Sequence, residues 1–510
     1  MFSPSLSDDS EPQSRAGIQP RLVRAWRRGA SLLAIVLVLQ MLALIPMLVS
    51  NAMDGIRDEF GTEGGGWVTM AFVLVGAATA PLVGTLADLH GKRRLMLICL
   101  ALSTFGALLS AAAVGIGMLI VGRGLSGLLV PCLFLSYSLI RDVFPPRTIA
   151  LAVSVVTTMI GLAAIVAPFL TEWLLNAGGF RAVFWFSAVV LGVLVCAVAL
   201  TTPESPVRLP ARVRGVGSII LGAGLAFGLI GISRGAAHGW TTVSTLAFLA
   251  TGAALIIAWS ATATATGDGL IHLRIWRRRP VVLTATAAGL GYAVAGLYTI
   301  LLPMLTMIPA MLGLGYGFGV DAKGATAFHA PLGLMTVVGG LLVGLLVGRF
   351  DVEPRLTAVA GLATITLGCV LSAPYHHSET VLMSWAGLVG LGIGLTYAST
   401  PNLLIAALPP QLQASGAALT GVFQSVVPAI VPIIVFAELN GSYAAEFPPA
   451  ITAMLNGQVL YTDTGITVGF LIAAAVAFLG VLAVLFLPRT GERIDIDAIL
   501  ADGRQPAELT

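Results

Sequence analysis

Apolar runs alternate along the chain with short polar segments, and most of the runs reach the roughly 20 residues that a helix needs to cross the hydrocarbon. Fourteen can be marked, at 30–50, 65–87, 94–113, 116–140, 149–175, 181–201, 215–234, 242–263, 281–305, 326–348, 356–374, 380–407, 414–437 and 464–487. Inside each run the apolar residues are continuous, not alternating, which predicts helices and not barrel strands. The runs group as six, two and six, because proline-bearing polar linkers at 202–210 and 268–280 flank the middle pair. The expected architecture is an all-α membrane protein in five segments. These are a tail (1–28), a six-helix block (29–205), two additional helices with their linkers (206–279), a second six-helix block (280–488) and a closing tail (489–510). Two such blocks suggest a repeat that encloses a site near the bilayer midplane. The longest connection, 438–462, contains Asn440, Gly441, Pro448, Pro449 and Asn456. It reads first as a tolerated surface loop and second as a lid or docking surface.

Composition agrees with the pattern. Of 510 residues 57% are hydrophobic and 10% charged, against about 25% charged in a soluble domain. The net charge of +3 carries no nucleic-acid signal. The four cysteines (Cys99, Cys132, Cys196, Cys369) are far apart in apolar runs and read as small core residues, so neither a disulfide nor a metal site is expected. No cofactor is expected either. The first run is longer than the apolar core of a signal peptide and is read as a retained helix. The cations orient the chain. With the N-terminus in the cytoplasm, 22 of the 27 Lys and Arg fall on cytoplasmic segments, 4 fall outside, and Arg123 lies within a span. The expectation is a multi-pass plasma-membrane protein with both termini cytoplasmic, working as a monomer.

One polar knot separates the second and third runs: Gly84-Thr-Leu-Ala-Asp88-Leu-His-Gly91-Lys92-Arg93-Arg94. Asp88 sits at a helix C-terminus and the three cations at a helix N-terminus, so each opposes its own helix dipole. Such charges should serve one another or a neighbouring element, and Asp142 is a candidate partner. Gly84 permits close packing and Gly91 a tight turn. Positive-inside bias explains the cations but not the Gly-x3-Asp-x2-Gly-Lys-Arg-Arg spacing. That spacing resembles the signature loop of the major facilitator superfamily, although Leu89 stands where the family usually has a cation. Arg123-Gly-Leu-Ser-Gly127 is similar to the family's helix-four Arg-x-x-Gln-Gly. Gly161, Ala167-Pro168 and Gly179-Phe-Arg-Ala-Val-Phe184 resemble a weakened helix-five antiporter signature. The extra central pair resembles the fourteen-helix drug:proton antiporter branch, which Arg234 to Trp240, the 270–280 linker, Gly390–Gly394 and Ala414-Ser-Gly416 also fit. The second block holds a degenerate copy of the loop, Gly344-Leu-Leu-Val-Gly348-Arg349-Phe-Asp351, with a structural role only.

The resemblance implies a major-facilitator fold in which Gly84, Asp88, Gly91, Lys92, Arg93 and Asp142 govern conformational gating. Charged residues at bilayer depth are expensive and hence functional candidates. Arg123 and Glu172 both fall in the outer half of adjacent helices, and one reading pairs them, directly or through water, in proton coupling. The other leaves Glu172 among headgroups or in a structural ion pair. The first helix, where related exporters usually carry an acid, here has Gln40 and none. The uncharged polar residues Gln40, Tyr137, Tyr292, Tyr298, His329, Tyr397, Asn402 and Gln424 suit a mostly apolar substrate cavity, or else interhelical hydrogen bonds. With no Gly-x4-Gly-Lys-Ser/Thr loop and no catalytic or metal constellation, the sequence reads as a transporter and not an enzyme. The expected activity is proton-coupled export of hydrophobic or amphipathic small molecules, with an importer or uniporter of one metabolite as the alternative.

Overall fold

The computed structural model describes residues 18–487 apart from 62–64, 209–215, 266–277, 310, 311, 313, 321 and 442–460. Most of the 438–462 connection, most of the first tail and the whole of the second lie outside the described residues. Among the described residues the regular elements are all helical. The first block comprises α1 (Ile18–Asn51), α2 (Met53–Phe60), α3 (Gly65–His90), α4 (Lys92–Ala111), α5 (Ile116–Ser126), α6 (Pro131–Val143), α7 (Pro146–Thr158) and α8 (Ile160–Thr201). The middle pair is α9 (Val216–His238) and α10 (Val243–Ala265). The second block comprises α11 (Arg279–Thr306), α12 (Ala322–Phe350), α13 (Pro354–Ser372), α14 (Glu379–Ala407), α15 (Gln413–Gly441) and α16 (Asp463–Leu485).

Some prolines open elements, where a missing N–H costs nothing, while others such as Pro46, Pro81 and Pro168 lie inside helices. Pro131, Pro146 and Pro354 each open a helix at its first position. Pro131 also follows a single 3-10 turn, Gly127–Leu129, so the run expected at 116–140 is built from α5 and α6 in series. The 42-residue α8 is interrupted at Gly178 and Gly179, and Gly179 has φ +64°, a conformation natural only to glycine. The break separates two legs, matching the gap between the runs expected at 149–175 and 181–201. One expectation is corrected. α1 starts at Ile18 and not at 30, so the basic stretch through Arg27 and Arg28 is helical and carries those two cations exposed.

Among the described residues, twelve helical stretches are long and apolar enough to cross a membrane, and two further apolar helices, Thr148–Ala163 and Ile219–Gly235, are shorter. α8 packs against α1 and α4, and α4 against α5. In the second block α14 packs against α12 and α13, while α16 packs against α11 and α13. One large apolar core lies in the second block; the other fills the first block and continues across the seam to Leu404, Leu408, Ala418 and Leu419. α9 and α10 pair with each other, and α9 lies along α3. The blocks meet along two seams, α3 with α15 and α7 with α12. Glycines let the seams close: a Cβ on Gly84 would come within 2.7 Å of the Ala418 Cβ and 2.9 Å of the Ala414 carbonyl oxygen.

Candidate functional site

The densest polar chemistry lies where the α3–α4 loop meets the N-terminus of α15. Asp88 is 1% exposed, yet its carboxylate accepts three hydrogen bonds. They come from the Ala414 amide (3.3 Å), the Ser415 amide (2.8 Å) and the Ser415 hydroxyl (2.7 Å). An anion that opposes the dipole of α3 thus sits on the positive end of α15, in the other block. Lys92, fully buried, gives a 2.6 Å ion pair to Asp142, donates to the Pro410 carbonyl at 3.1 Å and lies 3.9 Å from Asp88. Lys92 pairs with Asp142, and the amides at the N-terminus of α15 offset the second carboxylate, Asp88.

The other loop charges follow the same logic. The Arg93 side chain donates to the Ala199 carbonyl near the C-terminus of α8, where a cation is favourable. Glu204, in the linker after α8, accepts from the Arg93 amide (2.9 Å) and the Arg94 amide (3.0 Å) and so caps α4. Ser205 donates to Asp142 at 2.5 Å. Gly91 makes the turn between α3 and α4 with φ +113°. Sequence reasoning found Asp88, Gly91, Lys92, Arg93 and Asp142 but missed Glu204. It also counted Arg141 as a mere loop cation, whereas Arg141 reaches across the seam to the Leu408 carbonyl (2.7 Å) and the Gln413 side chain. The available signal was its position beside Asp142. Asn402 adds a 3.5 Å bond to Ser154 on α7. Asp88, Lys92, Arg141 and Asn402 all span the two blocks at the loop end, so the molecule is closed there.

Deeper along the seam three of the expected cavity residues come together. The Tyr292 and Tyr397 rings stack with centroids 4.0 Å apart. Tyr137, from the first block, brings its hydroxyl next to Tyr292 of the second. This tyrosine cluster lies inside the loop-end closure. The other expected cavity residues are dispersed. Gln40 donates to the Met159 carbonyl at the end of α7. Tyr298 bonds Ser372 at 3.0 Å inside the core of the second block. His329 bonds the Ala325 carbonyl at 3.0 Å on its own helix. Asn402 also donates to the Ala398 carbonyl at 2.7 Å. Gln424 is half-buried, and its Oε1 has no hydrogen-bond partner among the described residues.

Arg123 is 1% exposed. Its Nε donates to the Val68 carbonyl at 3.1 Å and its guanidinium lies 4.7 Å from the Phe72 ring centroid. Nη1 and Nη2 are buried with no hydrogen-bond partner among the described residues. Glu172 stands on an exposed face of α8. The two do not touch, which corrects the expectation of a direct pair. Similar depth does not fix facing, and Arg123 faces α3 instead.

The arrangement can close one end of a passage between two bundles. Comparison with known proteins points the same way. The chain is 28% identical over 442 residues to multidrug resistance protein Stp of Mycobacterium tuberculosis, covering 84% of this chain and 78% of that protein. It is 26% identical over 410 residues to a probable actinorhodin transporter of Streptomyces coelicolor (76% and 68% covered). With the tetracenomycin C resistance and export protein of Streptomyces glaucescens the identity is 24% over 402 residues (76% and 71% covered). The proton:xylose symporter XylE matches the fold with a TM-score of 0.65 at 14% identity, over 94% of this chain and 99% of that one. The family model of the Major Facilitator Superfamily matches residues 30–432, and the chain belongs to that family of multi-pass membrane transporters.

Proposed function

We propose that the protein is a proton-coupled exporter of hydrophobic or amphipathic small molecules, working by alternating access between its two six-helix blocks. The observation that carries this reading is the clamp of Asp88 onto the N-terminus of α15, a contact that must break for the loop end to open. The multidrug and antibiotic relatives support the substrate class and the outward direction, and the apolar, tyrosine-lined interior suits such cargo. The positive-inside count supports a cytoplasmic loop end and cytoplasmic termini. In that orientation the closed loop end faces the cytoplasm. The break in α8 and the two shorter apolar helices support fourteen crossings, divided as 29–205, 206–279 and 280–488. For coupling, Arg123 offers two buried NH2 groups with no hydrogen-bond partner among the described residues, and Glu172 is the one carboxylate that falls within the first block's apolar runs. Gating rests on Gly84, Asp88, Gly91, Lys92, Arg93, Arg141 and Asp142.

The test uses everted vesicles with an imposed pH gradient and a lipophilic fluorescent substrate. Acid inside should drive accumulation, and collapse of the gradient should abolish it. Glu172→Gln should remove the gradient dependence while equilibrium binding stays within about twofold. Gradient-independent flux, or flux in the same direction as the protons, would replace export by the uniporter or importer reading.

A further inference from the structure

Away from the seam, three segments of the second block meet at the end opposite the basic loop: the connection between α11 and α12, the turn after α13, and the first turn of α16. His376 is fully buried in that turn. Its Nδ1 lies 2.7 Å from the Ala373 carbonyl and 3.1 Å from the Ser372 carbonyl. Carbonyl oxygens only accept, so Nδ1 carries the proton. The other nitrogen, Nε2, lies 2.8 Å from Asp463 Oδ1. In a neutral imidazole protonated on Nδ1 that nitrogen presents a lone pair, and so does the carboxylate oxygen. Two lone pairs at this distance need a cation: a second proton or a metal ion. His377 is the next residue, with its side chain half exposed, and its Nδ1 is 3.9 Å from the same Asp463 oxygen. One donor atom from each of the three residues lies within 4.8 Å of the other two.

We propose that His376, His377 and Asp463 form a binding site for a divalent transition-metal ion of the zinc class. Two imidazoles and one carboxylate are a donor set that suits such an ion. A backbone carbonyl holding Nδ1–H and aiming Nε2 is the usual support of a metal-binding histidine. An ion bound at about 2.0–2.1 Å from each donor at tetrahedral angles would set Nε2 and Oδ1 about 3.3 Å apart. Asp463 is 41% exposed and can yield that distance. His377 donates from Nδ1 to the Gly315 carbonyl at 2.7 Å, and its ring must turn to bring a nitrogen inward, which its exposure allows. The exposed side also leaves a coordination position for water. Tyr316, edge-on to His376, is a wall and not a ligand: burial pushes its phenol up to about 12, and it donates to the Tyr461 carbonyl at 2.7 Å. A bland explanation exists for the acid, since Asp463 follows the Thr462 N-cap in the favourable first turn of α16. It explains neither histidine. The sequence hid the site because Asp463 is 87 residues from His376 and no spacing motif joins them. All three residues belong to the second block, so the ion holds helix ends of that block and does not bridge the seam.

The experiment uses the full-length protein in nanodiscs, with any affinity tag removed, stripped with chelator and titrated with zinc chloride near neutral pH. Wild type should bind one zinc per chain by calorimetry and metal analysis, with a raised thermal midpoint. Cobalt should give the visible absorption of a four-coordinate N/O site. His377→Ala and Asp463→Asn should each weaken zinc by about tenfold or more, with unchanged elution profile and transport within about twofold of wild type; Asp463→Glu should retain the ion. Failure of the folded wild type to take up stoichiometric zinc, or undiminished zinc affinity in both variants, overturns the site and leaves an imidazolium–carboxylate pair.

Discussion

Asp88 shows how a residue badly placed for its own helix can be well placed for another. Its three hydrogen bonds come from the first turn of α15, and it is buried. A hydrogen bond to a charged group contributes about 1.5–3 kcal/mol, and a partly buried charge at a helix end up to about 2 kcal/mol. Asp88→Asn keeps the shape but removes the charge and leaves one amide N–H facing donors. The expected result is transport slowed about tenfold or more with substrate affinity within about twofold, read by flux and equilibrium binding on one preparation. Loss of binding in a folded protein would place Asp88 in the substrate site instead. Glu204 is a contrasting case, because its two backbone acceptor contacts cap α4 within the first block. Glu204→Ala should lower thermal stability by about 0.5–2 kcal/mol, as loss of an N-cap does, and leave the pH-gradient dependence of flux untouched. A thermal midpoint equal to wild type would show that the cap is not formed.

At the scale of elements, helix existence was legible and helix partnership was not. Most of the apolar runs anticipated described helices to within a few residues, since hydrocarbon thickness sets their length, and twelve described stretches are long and apolar enough to cross a membrane. The early start of α1 escaped because its first turns are polar, and a membrane criterion does not see a helix that projects from the bilayer. Within the site, Lys92 and Asp142 could be paired from charge logic, being 50 residues apart in one block. The receiver of Asp88 could not, because Ala414 and Ser415 are uncharged and act through backbone amides that every helix start possesses. Close packing was equally hidden. Phe134 on α6 presses its ring edge onto Gly421 of α15, where any side chain would collide with it. Gly421→Leu should therefore hold the loop end apart. A cysteine pair at Ser154 and Asn402, which now hydrogen-bond at 3.5 Å, should crosslink readily in the parent and poorly in the Gly421→Leu background. Equal crosslinking in both would mean that the seam repacks around the added side chain.

At the scale of the whole molecule, the clamp is one side of an equilibrium. Moving a two-state population from 1:99 to 99:1 takes about 5.5 kcal/mol, and each 1.4 kcal/mol is tenfold. A few charge-assisted bonds across the seam are of that size, so removing one should not unfold either block but should redistribute the two states. Arg141 is the cleanest lever. It bonds the Leu408 carbonyl and Gln413 across the seam, while Lys92 and Asp142 keep each other neutral behind it. Spin labels at exposed His90 in the first block and exposed Leu356 in the second report the width of the loop end. They need only Cys196, the one exposed native cysteine among the four, replaced beforehand. Wild type should give a dominant short distance, and Arg141→Gln a second, longer one whose share rises further in the double variant with Asp88→Asn. The rise should be more than additive in population but near additive in free energy, because the two residues bond different atoms of the α14–α15 junction. If Arg141→Gln leaves a single short distance, closure does not depend on the charged clamp. The apolar seam of α3 with α15 and α7 with α12 would then set the equilibrium by itself.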